Sequence, residues 1–225
     1  GGKATPQRAA VLGGIKGLKS RLESPDQQER LIALQEAVNY GDEGLKLLTD
    51  ASSLDRKELA SNSKTPEALL QQLALDEDWR VREKVASNRN TPIAALQTLA
   101  QERISTIREK VASNRNTPEA LLQQLALDER WWVSGEVASN PKTPEALLQQ
   151  LALDKNEYVR KGVAYNPKTP EALLQQLALD EDWRVRWKVA LNPNTPIAVL
   201  RQLALDEDET VGNDAKDTLR QKGLR

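Results

Sequence analysis

Residues 65–90 read TPEALLQQLALDEDWRVREKVASNRN, and this stretch returns every 26 residues, with threonine before proline at Thr65, Thr91, Thr117, Thr143, Thr169 and Thr195. Its first half, TPEALLQQLALDE, recurs letter for letter from Thr117 and Thr169, and with one change (Lys155) from Thr143. A fixed period of this length marks a solenoid, in which each unit buries its apolar face only by stacking on its neighbours.

Each repeat reads as two short helices. Thr65 has the chemistry of an N-cap, Pro66 fits the first helical position, and Glu67 places negative charge in the first turn. Leu70, Leu73 and Ala74 share one helical face. Asp76 is expected to cap the second helix, with Glu77 and Asp78 in its first turn. Val81, Val85 and Ala86 form its apolar set, recurring as Ile107/Val111/Ala112 through Val185/Val189/Ala190. The β-branched content of this helix allows it to be 3₁₀ in part. Asn88, Asn114, Asn140, Asn166 and Asn192 close the repeats, and three of them precede proline. That context favours extended asparagines whose amides bond neighbouring backbone over left-handed caps.

The repeat pattern divides the chain into 6–64, 65–194 and 195–225: a leader with a degenerate repeat, five full repeats, and a C-terminal capping repeat. Residues 1–5 read as a tag remnant, since the chain opens Gly1-Gly2 and lacks methionine. In the leader, Leu12, Ile15, Leu18 and Leu22 recur at helical spacing. Ser24-Pro25 restarts a helix carrying Leu31, Leu34 and Val38, which Gly41 ends. In the degenerate copy Asp55 replaces the first valine. At the far end Lys216 replaces the inward alanine and Thr218 the asparagine, as expected of a cap facing water.

Composition removes several chemistries. There are 32 basic and 33 acidic residues, for a net charge of −1, with neither cysteine nor histidine. Thiolate nucleophiles, thiolate metal sites and the commonest general base are therefore absent. No apolar run reaches membrane-spanning length. The expectation is a cytoplasmic monomer with no cofactor, no metal and no catalytic residues.

The combination of the Thr-Pro start, the L-x-x-L-A core, the V-R-x-x-V-A core and the closing asparagine resembles the leucine-rich repeat variant family. The resemblance covers roughly residues 39–225. It implies an all-α, right-handed helical-repeat solenoid that pairs an α-helix with a second, α or 3₁₀, helix and contains no β-sheet. Residues 11–48, VLGGIKGLKSRL…ALQEAVNYGDEGLKLL, are similar to the HEAT-like leader of cyanobacterial repeat proteins. A known member of the family carries an iron–sulfur cluster on an added cysteine-rich segment. This cysteine-free sequence has no counterpart, so the resemblance implies a binding scaffold and no cluster.

Three sets of residues could carry function. An arginine ladder, Arg56, Arg82, Arg108, Arg160 and Arg186, is broken by Ser134. A row of guanidiniums suits phosphates, but the stem of Arg82 lies within the buried arc, so inter-repeat pairing with a carboxylate is the expected role. The triplets Asp76-Glu77-Asp78 and Asp180-Glu181-Asp182 are expected to serve helix starts; Asp206 to Gly212 only loosely follows a calcium loop. The aromatics form the third set. Trp79, Trp131 and Trp183 occupy one repeat position that is Ser105, Glu157 and Glu209 in alternate copies. Trp132 and Tyr158 follow one place on, and Trp187 four places after Trp183. A position that accepts glutamate is not fully enclosed, so packing and partner binding both remain open for these rings.

The leading functional expectation is a non-catalytic scaffold whose variable positions meet a protein or peptide through Trp79, Trp131, Trp132, Tyr158, Trp183 and Trp187. The alternative is a nucleic-acid-binding solenoid, including a base-excision type of enzyme. Charge disfavours it. Residues 65–90 hold four basic against five acidic side chains, 91–116 four against two, and 117–142 two against four. No continuous basic stripe forms, although Arg103, Arg108, Lys110 and Arg115 make a local patch.

Overall fold

The computed structural model describes residues 13–223; Leu12 and the expected tag remnant lie outside the described residues. Among the described residues every regular element is a helix. The leader contains α1 (Gly14–Leu22), α2 (Gln27–Ala37), α3 (Gly41–Asp50) and α4 (Ser53–Ser61). The repeats follow in chain order, a first helix and then a second: α5 (Glu67–Leu73), α6 (Trp79–Ser87), α7 (Ile93–Leu99), α8 (Ser105–Ser113), α9 (Glu119–Leu125) and α10 (Trp131–Ser139). Then come α11 (Glu145–Leu151) with α12 (Glu157–Tyr165), α13 (Glu171–Leu177) with α14 (Trp183–Leu191), and α15 (Ile197–Leu203) with α16 (Glu209–Gln221). Packing divides the chain into two compact units, one ending at Leu99 and the other beginning at Ala100. This division follows contact, whereas 6–64, 65–194 and 195–225 follow repeat type.

In the first unit, Leu18 of α1 packs with Ala33 and Ala37 of α2, flanked by Ile15, Leu22, Tyr40 and Leu47. Asp55, where a valine stands in the full repeats, is buried. It accepts two hydrogen bonds of 2.9 Å from Arg30, which ties α4 to α2. Leu31 and Leu34 are buried as expected, whereas Val38 lies in a 3₁₀ turn and is exposed. In the second unit α8, α10, α12, α14 and α16 pack one on the next. Their inward faces carry valine and alanine, small enough for close approach. Leu70, Leu73, Val81 and Val85 are all buried, and so are their counterparts.

Two local expectations are corrected. The threonines do not cap the first helices. Pro66, at φ −58° and ψ 144°, is the N-cap, and the Thr65 hydroxyl points back to donate to the Leu59 carbonyl at 2.6 Å. Each threonine thus closes the preceding helix, where the last carbonyls lack helical partners. Asp76 does not cap the second helix either: Asp78 does, accepting from the Arg80 amide at 2.9 Å. The second helices are α-helical over nine residues, within the expected choice of α or 3₁₀. Only their ends tighten to 3₁₀ bonding, as in the 3.0 Å bonds from Val81 N to Asp78 O and from Asn88 N to Val85 O.

The asparagines are extended, with Asn88 at φ −74° and ψ 127°. Asn88 Nδ2 donates to the carbonyls of Ala60 (2.8 Å) and Asn62 (3.0 Å) in the preceding repeat, and its Oδ1 accepts from the Asn90 amide (2.9 Å). Asn140, Asn166 and Asn192 repeat this geometry. Threonine and asparagine together satisfy the carbonyls at the end of each such helix. At the last one Thr218 supplies no such break, and α16 runs on to Gln221.

Candidate functional site

The arginine ladder is structural. Arg160 donates to Asp180 through Nε at 2.7 Å and Nη2 at 2.9 Å, and its Nη1 reaches the Asp154 carbonyl at 2.9 Å. Arg56, Arg108 and Arg186 make the same fork to Asp76, Asp128 and Asp206. Arg82 donates to the carbonyls of Asp76 (2.6 Å) and Glu77 (3.1 Å). Burial alone would raise the Asp128 and Asp206 carboxyls, yet the arginine bond, a backbone amide and the guanidinium charge together outweigh it and hold both below the usual range. Asp206 and Asp208 are likewise committed, the latter capping α16. In the basic patch Arg108 belongs to the ladder and Lys110 pairs with Glu109 at 3.0 Å.

The alternating tryptophans open second helices: Trp79 starts α6, Trp131 starts α10 and Trp183 starts α14. With Tyr158 they are 37–41% exposed, while Trp132 and Trp187 are half-buried. The six expected site residues are not gathered in one place. Trp131 meets Trp132 edge-on at 5.4 Å and stacks on Tyr158 at 4.7 Å with the planes 26° apart. Trp183 and Trp187 make a second pair at 6.4 Å, and Trp187 Nε1 donates to Asp214 at 2.6 Å. Trp79 belongs to the first unit, with the Arg80 guanidinium 5.0 Å above its ring.

Two glycines build the first cluster. A Cβ on Gly162 would lie 2.7 Å from the Gly135 carbonyl oxygen and 2.9 Å from the Ala138 Cβ, so α12 sits on the backbone of α10. In the other full repeats the Gly135 position carries Glu83, Glu109, Lys161 or Trp187, and the Gly162 position Lys84, Lys110, Glu136 or Lys188. Beside this contact lies an open cleft of about 420 Å³. Trp131, Trp132 and Tyr158 line it together with Glu136, Lys161 and Lys188, and Tyr165 adds a ring that is 59% exposed. Lys161 Nζ stands 4.5 Å over the Tyr158 ring, and Lys188 Nζ stands 4.0 Å over Trp187 and 5.3 Å over Tyr165. Burial, then the neighbouring Glu109, pushes the Glu136 carboxyl up. Burial and Lys161 push the Lys188 ammonium down.

The family profile described as leucine rich repeat variant matches residues 183–208, one full period of the repeat. A solved structure described as a leucine-rich repeat variant with a novel repetitive protein structural motif is 26% identical, over 91% of this chain and 82% of that one, with a TM-score of 0.58. The repeat resembles the leucine-rich repeat variant. An engineered protein is 14% identical over 95% of this chain and 90% of its own, with a TM-score of 0.34. A computationally designed armadillo repeat protein for modular peptide recognition is 16% identical over 97% and 85%, with a TM-score of 0.25. Neither of these two is similar enough to bear on fold or function. No curated protein matches the sequence. Among the described residues no helix is long and apolar enough to cross a membrane.

Sequence reasoning missed the cleft residues Glu136, Lys161, Lys188 and Tyr165 and the role of the two glycines, although all but Lys188 depart from their repeat columns. It also missed a row of leucines. Leu75, Leu127, Leu153, Leu179 and Leu205 follow the first helices and are 69–87% exposed. In the sequence they read as a continuation of the apolar L-x-x-L-A pattern.

Proposed function

We propose that this leucine-rich-repeat-variant-like array is a non-catalytic, monomeric scaffold that binds a protein or peptide partner, and that the aromatic cleft of the second unit is its contact site. One observation carries this reading: Trp131, Trp132 and Tyr158 form a partly exposed ring cluster where two helices depart from the repeat pattern. Tryptophan and tyrosine dominate the binding energy of protein interfaces because a rigid ring buries much area at little entropic cost. Nucleic acid is the weaker reading, because the ladder arginines are spent on aspartates and backbone. Lysate capture with the whole chain as bait, compared with a Trp131→Ala/Trp132→Ala double variant, tests the proposal. Capture is expected to fall at least about tenfold while the thermal midpoint moves little. A large loss of stability with capture intact would make the rings packing residues and end the assignment.

A further inference from the structure

The cleft contains two lysines that the aromatic reading leaves unused. Lys161 and Lys188 face the same space, and among the described residues neither forms an ion pair. Rings flank both, Tyr158 for Lys161 and Trp187 and Tyr165 for Lys188, and the Glu136 carboxylate attracts Lys161 without pairing with it. Ring faces attract a cation but do not neutralise it. Two like charges held in a partly desolvated cleft raise each other's cost, and a bound anion relieves both at once. The depressed Lys188 ammonium agrees with this geometry.

We propose that Lys161 and Lys188 form an anion-binding point that takes an acidic side chain of a peptide whose neighbouring apolar residue lies on the Trp131–Tyr158 stack. The surroundings limit the charge to one group. Glu109 and Glu136 line the same cleft, and Asp214 holds Trp187, beside which Lys188 stands. A polyanion would meet these carboxylates as soon as it extended past the lysines. A single aspartate or glutamate in a mixed sequence would not. The exposed face of the stacked rings supplies the apolar half of the recognition. The inference rests on the scaffold reading and names the chemistry of its partner.

A phage-displayed random peptide library panned on the whole chain tests it. Peptides retained by the wild type are expected to carry Asp or Glu next to an aromatic or large aliphatic residue. A synthetic peptide from that pool is expected to bind about tenfold or more weakly when its acid is changed to the amide, the scale of a charge-assisted hydrogen bond. A Lys161→Gln/Lys188→Gln protein should lose the same factor, with little further loss when both changes are combined. The amide peptide uses the unaltered protein, so the test survives misfolding of that variant. Retained peptides that lack acids and ignore the lysine changes, yet need Trp131 and Trp132, would overturn the anion point and leave the scaffold reading standing. Peptides indifferent to Trp131 and Trp132 would overturn both. An oligo-dT strand that binds the wild type and is released by the lysine changes would overturn the peptide assignment in favour of nucleic acid.

Discussion

Replacing Asn166 by alanine tests how the repeats are joined. Its side chain is 0% exposed. Nδ2 donates to the Ala138 carbonyl at 2.7 Å and to the Asn140 carbonyl at 2.8 Å, while Oδ1 accepts from the Lys168 amide at 2.9 Å. Three such bonds contribute about 3 kcal/mol net. Ala138 lies in the last turn of α10, where carbonyls have no helical partner, and stranding it adds about 1–2 kcal/mol. The Asn140 carbonyl keeps its bond from the Thr143 amide at 3.0 Å and adds little. The expected cost is therefore about 3–5 kcal/mol, read as a lowered urea midpoint. Because repeat arrays gain stability repeat by repeat and interface by interface, hydrogen exchange should accelerate first around residues 138–168. A cost below about 1 kcal/mol, or no local change in exchange, would refute the claim that asparagine staples one repeat to the next.

Arg160→Ala should cost roughly 3–5 kcal/mol, because it strands the buried Asp180 carboxylate and the Asp154 carbonyl; a thermal melt checks this against Arg80→Ala at the surface. Asp128 and Asp206 titrate below the usual carboxylate range in the fold. Their pairing therefore stabilises above the unfolded value of about 3.9 and is lost as pH falls through the depressed folded value, which acid titration of an Asp128→Asn variant should show as a difference that vanishes at low pH. Glu136 has the opposite sign: its raised carboxyl opposes folding when ionised. Glu136→Gln should raise the melting midpoint at pH 7, with the gain shrinking as pH falls below the folded value and gone below the unfolded one. Ser134→Arg combined with Lys155→Glu should restore the missing rung and stabilise by about 1–3 kcal/mol, more than Ser134→Arg alone, in a double-mutant cycle.

The fold was legible because the same letters recur at the same spacing, and a solenoid core needs little beyond that. Positions whose meaning depends on the next repeat were not legible. Thr-Pro has the local chemistry of a helix start, yet the hydroxyl serves a carbonyl six residues earlier. Asp76 and Asp78 are equally able to cap; Arg56, twenty residues upstream, claims Asp76. The aromatic positions were visible as a column that alternates ring and carboxylate. Their grouping was not, because Gly135 and Gly162 lie in different columns and meet only when α12 stacks on α10.

The break in the ladder and the aromatic cleft occupy the same helix. Ser134 stands where arginine would fork to the next aspartate, and its hydroxyl bonds only locally, to the Trp131 carbonyl at 3.3 Å. Where the rung is present, its guanidinium also lies near an exposed glutamate, 3.3 Å for Arg56 and Glu77 and 3.5 Å for Arg186 and Glu207. At the gap the corresponding residue is Lys155, so the lost positive charge returns on the other side of the joint. The helix is then held to its successor by something other than charge: the glycine contact of α10 with α12, and the Trp131–Tyr158 stack above it. Ring packing takes the place of an ion pair at this joint, and a ring on a helix surface has an outer face that a guanidinium buried in its fork does not.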